Sequence, residues 1–161
     1  MKKNLFLVCL FMFGTLASCQ CSSKKSADNA VVNTTETPVP LGDPFILLHD
    51  GVYYAYGTHS NKGIEFYTSD DLLTWKYGGL ALNKEDSWAD RWFWAPEIYF
   101  VNGKFYMYYS ADEHICVAVA DSPTGPFVQD KKEPMIADEK CIDNSLFIDD
   151  NGTPYLSFVR F

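Results

Sequence analysis

A chain of 161 residues, 47% of them hydrophobic, is long enough to bury the core of one ordinary domain. Its formal net charge of −8 argues against nucleic acid or anionic lipid as a partner, because both require basic patches, and leaves neutral partners such as sugars open. Aromatic residues make up 16% of the chain, a high share that supplies flat apolar faces for packing or for ligands.

The N-terminus reads as a targeting segment. Lys2 and Lys3 precede an apolar run from Leu5 to Leu16, too short to span a bilayer comfortably and suited to the core of a secretory signal. Leu16-Ala17-Ser18-Cys19 resembles the lipobox of bacterial lipoproteins, in which the cysteine is lipidated and becomes the new N-terminus. Residues 1–18 are therefore expected to be a lipoprotein-type signal peptide, with an ordinary signal or an N-terminal anchor helix as the alternatives. All three place the chain outside the cytoplasm, in the cell envelope, and lipidation at Cys19 would hold it to a membrane by that anchor only. Residues 19–40 are Ser, Lys, Asn, Thr and Pro with scattered valines, a composition that buries too little surface to offset its ordering entropy and reads as a tether. Residues 41–161 are the expected globular part. It holds Cys116 and Cys141, for which a disulfide and two separate core thiols both stand open. No CxxC or Cys/His cluster with zinc spacing occurs.

The globular part repeats. Asp43 to Tyr54, Ala95 to Tyr106 and Asp143 to Tyr155 are each an apolar run, an Asp/Asn-Gly turn and a second apolar run, which is the signal of a β-hairpin. Gly51 and Gly103 are 52 residues apart, and Gly152 follows 49 later. After the first hairpin come strand Gly63–Thr68, the turn Ser69–Leu73 and strand Thr74–Tyr77. After the second come strand Ile115–Ala120, the turn Asp121–Gly125 and strand Pro126–Val128. Trp75 and Phe127 again lie 52 apart. No stretch longer than about two turns has helical periodicity. The chain is predicted to be all-β, built as a β-propeller of four-stranded antiparallel blades covering about two and a half blades. A β-sandwich of short strands is the alternative, and it leaves the recurrence of turn, Trp/Phe and Asp-Pro or Ala-Pro in register unexplained. Because a propeller needs at least four blades to close, the chain is expected to be an N-terminal fragment, with an exposed blade edge that lowers its solubility.

In a blade the innermost strand lines the central channel, so Asp43, Ala95 and Asp143 are expected around one mouth. The second strand runs back to that mouth and places Thr58, His59, Ser110, His114 and Arg160 at its rim, together with Trp88, Trp92, Phe93 and Trp94 just before the second inner strand. Two carboxylates facing across a channel with aromatic rings nearby suit chemistry on a sugar: inverting glycosidic cleavage needs a carboxylate base to activate water and a carboxylic acid for the leaving oxygen. Each residue also has a plain reading. Asp43 and Asp143 fit turn or loop caps, Trp92 to Trp94 fit channel-wall core, His59 and His114 fit solvated loops, and Glu97 fits a hydrogen-bonded structural carboxylate.

Taken together, Asp43-Pro44, Tyr54–Thr58, Ser69–Trp75, Trp94-Ala95-Pro96-Glu97, Gly103–Ser110, Asp121–Phe127, Ile142-Asp143 and Asp149–Gly152 resemble glycoside hydrolase family 43, in order and over everything after the tether. The resemblance implies a five-bladed propeller in the complete protein, acting as an inverting glycosidase on arabinose- or xylose-containing glycans. It implies that Asp43 is the general base, that Asp143 raises the pKa of the acid and orients it, and that Trp94 lines the sugar subsite, with Phe93, Trp92, His59, His114 and Arg160 as further substrate-binding candidates. The family's acid is a glutamate of a later blade, so this chain by itself is expected to be inactive. Asn144 stands where the family commonly has proline. No cofactor is required; some members hold calcium in the channel, and nothing in this sequence is diagnostic of it. The complete protein is expected to be a monomer whose partner is a neutral oligosaccharide or polysaccharide. The rival readings are a non-catalytic carbohydrate-binding lipoprotein on the same scaffold and a kelch-type interaction propeller, whose Gly-Gly motifs are missing here.

Overall fold

The computed structural model describes residues 38–161. The expected signal segment, the lipidation site Cys19 and the tether up to residue 37 lie outside the described residues. Within them, no helix is long and apolar enough to cross a membrane.

Among the described residues, nine strands form three antiparallel sheets in series. The first is a complete blade: β1 (Gly42–His49), β2 (Val52–Thr58), β3 (Gly63–Ser69) and β4 (Lys76–Asn83), ordered β1-β2-β3-β4. A single 3-10 turn, Lys84–Asp86, leads towards the second sheet, β5 (Trp94–Val101), β6 (Lys104–Ala111) and β7 (His114–Ala120). The third sheet is the hairpin β8 (Cys141–Ile148) and β9 (Pro154–Arg160). The chain is all-β and follows the blade pattern read from the repeat.

The hairpins form where the turn chemistry demands. Asp50-Gly51 and Asn102-Gly103 both have positive φ at the two central positions, 48° and 79° in the first and 50° and 79° in the second. This turn twists in the same sense as the strands it joins and favours Asp or Asn followed by Gly. In the longer third turn Asp149 Oδ1 accepts the N–H groups of Asn151 and Thr153, at 2.9 and 2.8 Å. Between β3 and β4 the Ser69 hydroxyl and the Asp71 carboxylate take the N–H groups of residues 71 to 74, so the connection is a closed polar knot rather than a strand.

Two strand expectations are corrected. The fourth strand of the first blade starts two residues later than predicted and runs on to Asn83. The fourth strand of the second blade is reduced to isolated bridges: Phe127 donates its N–H to Ala81 O of the first blade at 2.8 Å, while Val128 pairs with Val119 of β7. The segment divides its hydrogen bonds between two sheets and so extends neither.

The core lies between the first two blades, where Tyr56, Ile64, Leu82, Phe93, Ile98, Met107, Tyr109 and Phe127 are buried. Pro96 and Ile98, on one face of β5, are buried, while Ile46 and Leu48 of β1 and Phe147 and Ile148 of β8 are exposed. Cys116 and Cys141 are both buried and both free, and burial pushes the Cys116 thiol up to about 12. The two-thiol alternative is the one observed.

Candidate active site

The three inner strands open with the same irregularity. Gly42 pairs with Thr58 and Phe45 with Tyr56, so residues 43 and 44 face one residue of β2. Trp94 pairs with Ser110 and Glu97 with Tyr108, and Ile142 pairs with Val159 and Ser145 with Ser157. Each is a β-bulge, a device that re-aims a side chain at the end of a ladder. The first bulge residue is left-handed in all three copies: Asp43 at φ 42°, Ala95 at 42° and Asp143 at 55°. Aspartate tolerates this region because its short polar side chain bonds locally; for alanine it costs roughly 1–2 kcal/mol.

The bulges converge. Asp43, Pro44 and Phe45, Ala95, Pro96 and Glu97, and Asp143, Asn144 and Ser145 line one cavity of about 330 Å³. Both aspartates are exposed to it, and the small Ala95 side chain of the middle copy leaves room between their strands.

Hydroxyls at the ends of the second strands hold this arrangement. Thr58 Oγ1 donates to Asp43 Oδ2 at 3.1 Å and accepts the Ala95 N–H at 3.0 Å. Ser110, 52 residues further on, accepts the Asp143 N–H at 3.2 Å. Each hydroxyl thus ties the strand that ends one hairpin to the left-handed residue that opens the next. Strand direction places both at the rim, as expected, and the 52-residue period joins them as it joins the turns; their hydrogen bonds to the bulges are what the sequence does not announce.

Glu97 is held as a structural carboxylate. The Tyr99 hydroxyl donates to it, and the Leu146 N–H of β8 reaches both Glu97 Oε2 and Tyr99 Oη at 3.2 Å, binding the second sheet to the third. Burial and the Glu97 carboxylate together push the Tyr99 hydroxyl up to about 12. Asn144, beside Asp143, is 4% exposed, and neither atom of its amide has a hydrogen-bond partner.

The aromatic candidates divide. Trp92 and Trp94 stack with ring centroids 5.8 Å apart and planes 11° apart, and the Arg91 guanidinium lies 4.3 Å from the Trp92 centroid. Asp112 fixes that guanidinium through Nε at 2.8 Å and Nη2 at 2.7 Å. Phe93 is a correction: it is 2% exposed and packs against Tyr109, so it has no face to offer a sugar. The backbone is left-handed at Trp92, at φ 57°, just before β5 begins, and the stacked Trp92 and Trp94 rings leave Phe93, between them in the chain, turned into the core.

None of the six substrate-binding candidates, Trp92, Phe93, Trp94, His59, His114 and Arg160, is among the residues that line the cavity, although Trp94 directly precedes the lining residue Ala95. His59 Nδ1 lies 2.6 Å from Glu65 Oε2, while Glu65 Oε1 accepts the Tyr77 hydroxyl. His114 Nδ1 bonds Asp112 O at 2.7 Å and meets Trp88 edge-on, and Arg160 pairs with Glu139 at 3.0 Å. Among the described residues, no group of three or more His, Cys, Asp or Glu side chains is placed to hold a metal ion.

Known proteins align with this frame. A xylosidase/arabinosidase 43A of Humicola insolens is 40% identical over 146 residues, covering 76% of this chain and 44% of its own length. An extracellular exo-alpha-(1->5)-L-arabinofuranosidase of Cellvibrio japonicus is 27% identical over 145 residues, covering 76% of this chain and 41% of its own. The solved structure of an endo-1,4-beta-xylanase from Bacteroides thetaiotaomicron superposes with a TM-score of 0.72 at 52% identity, over 76% of this chain and 43% of that one. The chain therefore spans less than half the length of these relatives. The family model for glycosyl hydrolases family 43 matches residues 35–161, and the chain belongs to that family.

Proposed function

We propose that the protein is an exported glycosidase that hydrolyses arabinose- or xylose-containing oligosaccharides or polysaccharides with inversion. The observation that carries this reading is the placement of Asp43 and Asp143 at equivalent bulges on one cavity, within a chain of this family. Relatives named for xylosidase and arabinofuranosidase activity support the substrate class, and the extracellular relative supports export.

In the reaction, Asp43 takes a proton from water as the water oxygen attacks the anomeric carbon. The glycosidic C–O bond breaks, and its oxygen takes a proton from a carboxylic acid on the opposite side. That acid is a glutamate of a later blade, outside residues 1–161. Asp143, a like charge near the acid, holds its proton on until the leaving oxygen needs it. Trp94 packs on the apolar face of the sugar. The carboxylates carry the chemistry without a cofactor. Residues 1–18 direct export, Cys19 carries the lipid anchor, residues 19–40 act as tether, and the domain from residue 41 works as a monomer on neutral glycans.

The test is turnover of aryl arabinofuranosides and xylosides by the full-length protein, with the anomer of the first-formed sugar read by NMR. Inverted product is expected. Sugar binding without turnover would instead establish the non-catalytic carbohydrate-binding reading.

A further inference from the structure

We infer that Thr58 is a positioning residue for the Asp43 carboxylate, an inference that rests on the glycosidase reading above. Its hydroxyl makes two bonds of opposite sense. It donates to Asp43 Oδ2 at 3.1 Å and accepts the Ala95 N–H at 3.0 Å. The partners fix both directions: the Ala95 N–H can only donate, an ionised carboxylate can only accept, and so the hydroxyl proton goes to Asp43. Asp43 stands on a left-handed residue at a bulge, where β1 has left its ladder, so the backbone alone gives its side chain little support. Thr58 is the β2 residue paired across that bulge, with Gly42, and supplies the support from the side.

Comparison inside the chain separates this role from simple blade joining. Ser110 occupies the equivalent position in the second sheet and accepts the Asp143 N–H at 3.2 Å. There the inner strand of the same sheet opens with Ala95, which has no carboxylate to receive the hydroxyl proton. Joining the next blade is thus common to both hydroxyls, and the bond to a carboxylate is particular to Thr58. With one oxygen of Asp43 held by Thr58, the other is aimed at the water it must deprotonate. A threonine also suits the task better than serine, because its second Cβ substituent restricts χ1.

The experiment uses the full-length protein with aryl glycosides. Thr58→Val keeps the shape and removes the hydroxyl. It is expected to lower kcat about 10- to 100-fold with KM changed less than about 3-fold, the size that loss of alignment at a reacting group produces. Thr58→Ala is assayed beside it in case the valine variant does not fold, and Thr58→Ser should recover most of the rate. The readout that a structural role would not give is a cycle with Asp43→Gly, a change the left-handed backbone accommodates, assayed with azide as the attacking nucleophile. With the carboxylate gone, Thr58→Val should change the azide rate less than about 2-fold. Wild-type kcat in Thr58→Val and Thr58→Ala, or an equal loss in the azide reaction, overturns the positioning role while leaving the glycosidase reading intact. Absence of turnover by the wild-type protein overturns both.

Discussion

Asp43 and Asp143 are 100 residues apart in the chain, yet each is the first residue of the same two-for-one bulge, each is left-handed, and both border one cavity. The repeat makes this possible. A bulge that turns one side chain out of the ladder turns out its counterpart in every blade, and a ring of blades brings those counterparts to one axis.

Asn144 fills the second bulge position, where the other two copies have Pro44 and Pro96. Its amide is buried with both polar atoms unpaired, a costly state. Asn144→Pro removes those atoms at a position whose counterparts accept proline, and should raise the stability of the domain by about 1 kcal/mol through that removal and a stiffer unfolded chain. The urea midpoint checks it. A lowered midpoint would mean that the amide has a partner worth more than the proline.

Phe93 and Trp94 are neighbours with opposite consequences. Phe93→Ala empties a core position against Tyr109 and should cost about 3–5 kcal/mol of stability, seen in the denaturation midpoint. Trp94→Ala removes a half-buried ring that stacks on Trp92 and directly precedes the cavity residue Ala95, and it should leave stability nearly unchanged while raising KM several-fold for xylosides and arabinosides. The reverse pattern would exchange their roles.

Alkaline pH should unfold the domain through groups buried in protonated form. Burial raises the Tyr56 and Tyr109 hydroxyls above their ordinary 10.0 and moves the Cys116 thiol from 9.0 to about 12. A raised folded-state value means that the stabilisation is whole below the unfolded value and is lost as pH climbs towards the folded one. Urea midpoints should therefore fall from about pH 9 upward. Cys116→Ala should flatten the earliest part of that fall. In the folded protein at neutral pH, peptide mapping after alkylation should find Cys116 and Cys141 unlabelled until denaturant is added.

Much of this was legible because turn chemistry is local. Asp50-Gly51 and Asn102-Gly103 announce their hairpins unaided, and their spacing gives the blade. The bulges were not legible, because left-handed backbone is advertised by Asp, Asn or Gly, and the middle copy has Ala95. The burial of Phe93 is hidden within three consecutive aromatics, which sequence treats alike and which a left-handed turn of the backbone at Trp92 separates. His59, His114 and Arg160 were placed at the rim by strand direction. Their carbonyl and carboxylate partners, Glu65, Asp112 and Glu139, draw them away from the cavity, and pairings of that kind are settled by side-chain geometry alone.

The most direct measurement is the kcat of Asp43→Asn in the full-length protein, with circular dichroism and the melting transition recorded on the same sample. Asparagine accepts the left-handed backbone and keeps the shape of the side chain while removing the base. The expected result is a native melting transition with kcat lowered by about 100- to 10,000-fold, the range for loss of a general base. A folded Asp43→Asn variant with wild-type kcat would contradict the assignment of Asp43 as the group that activates water.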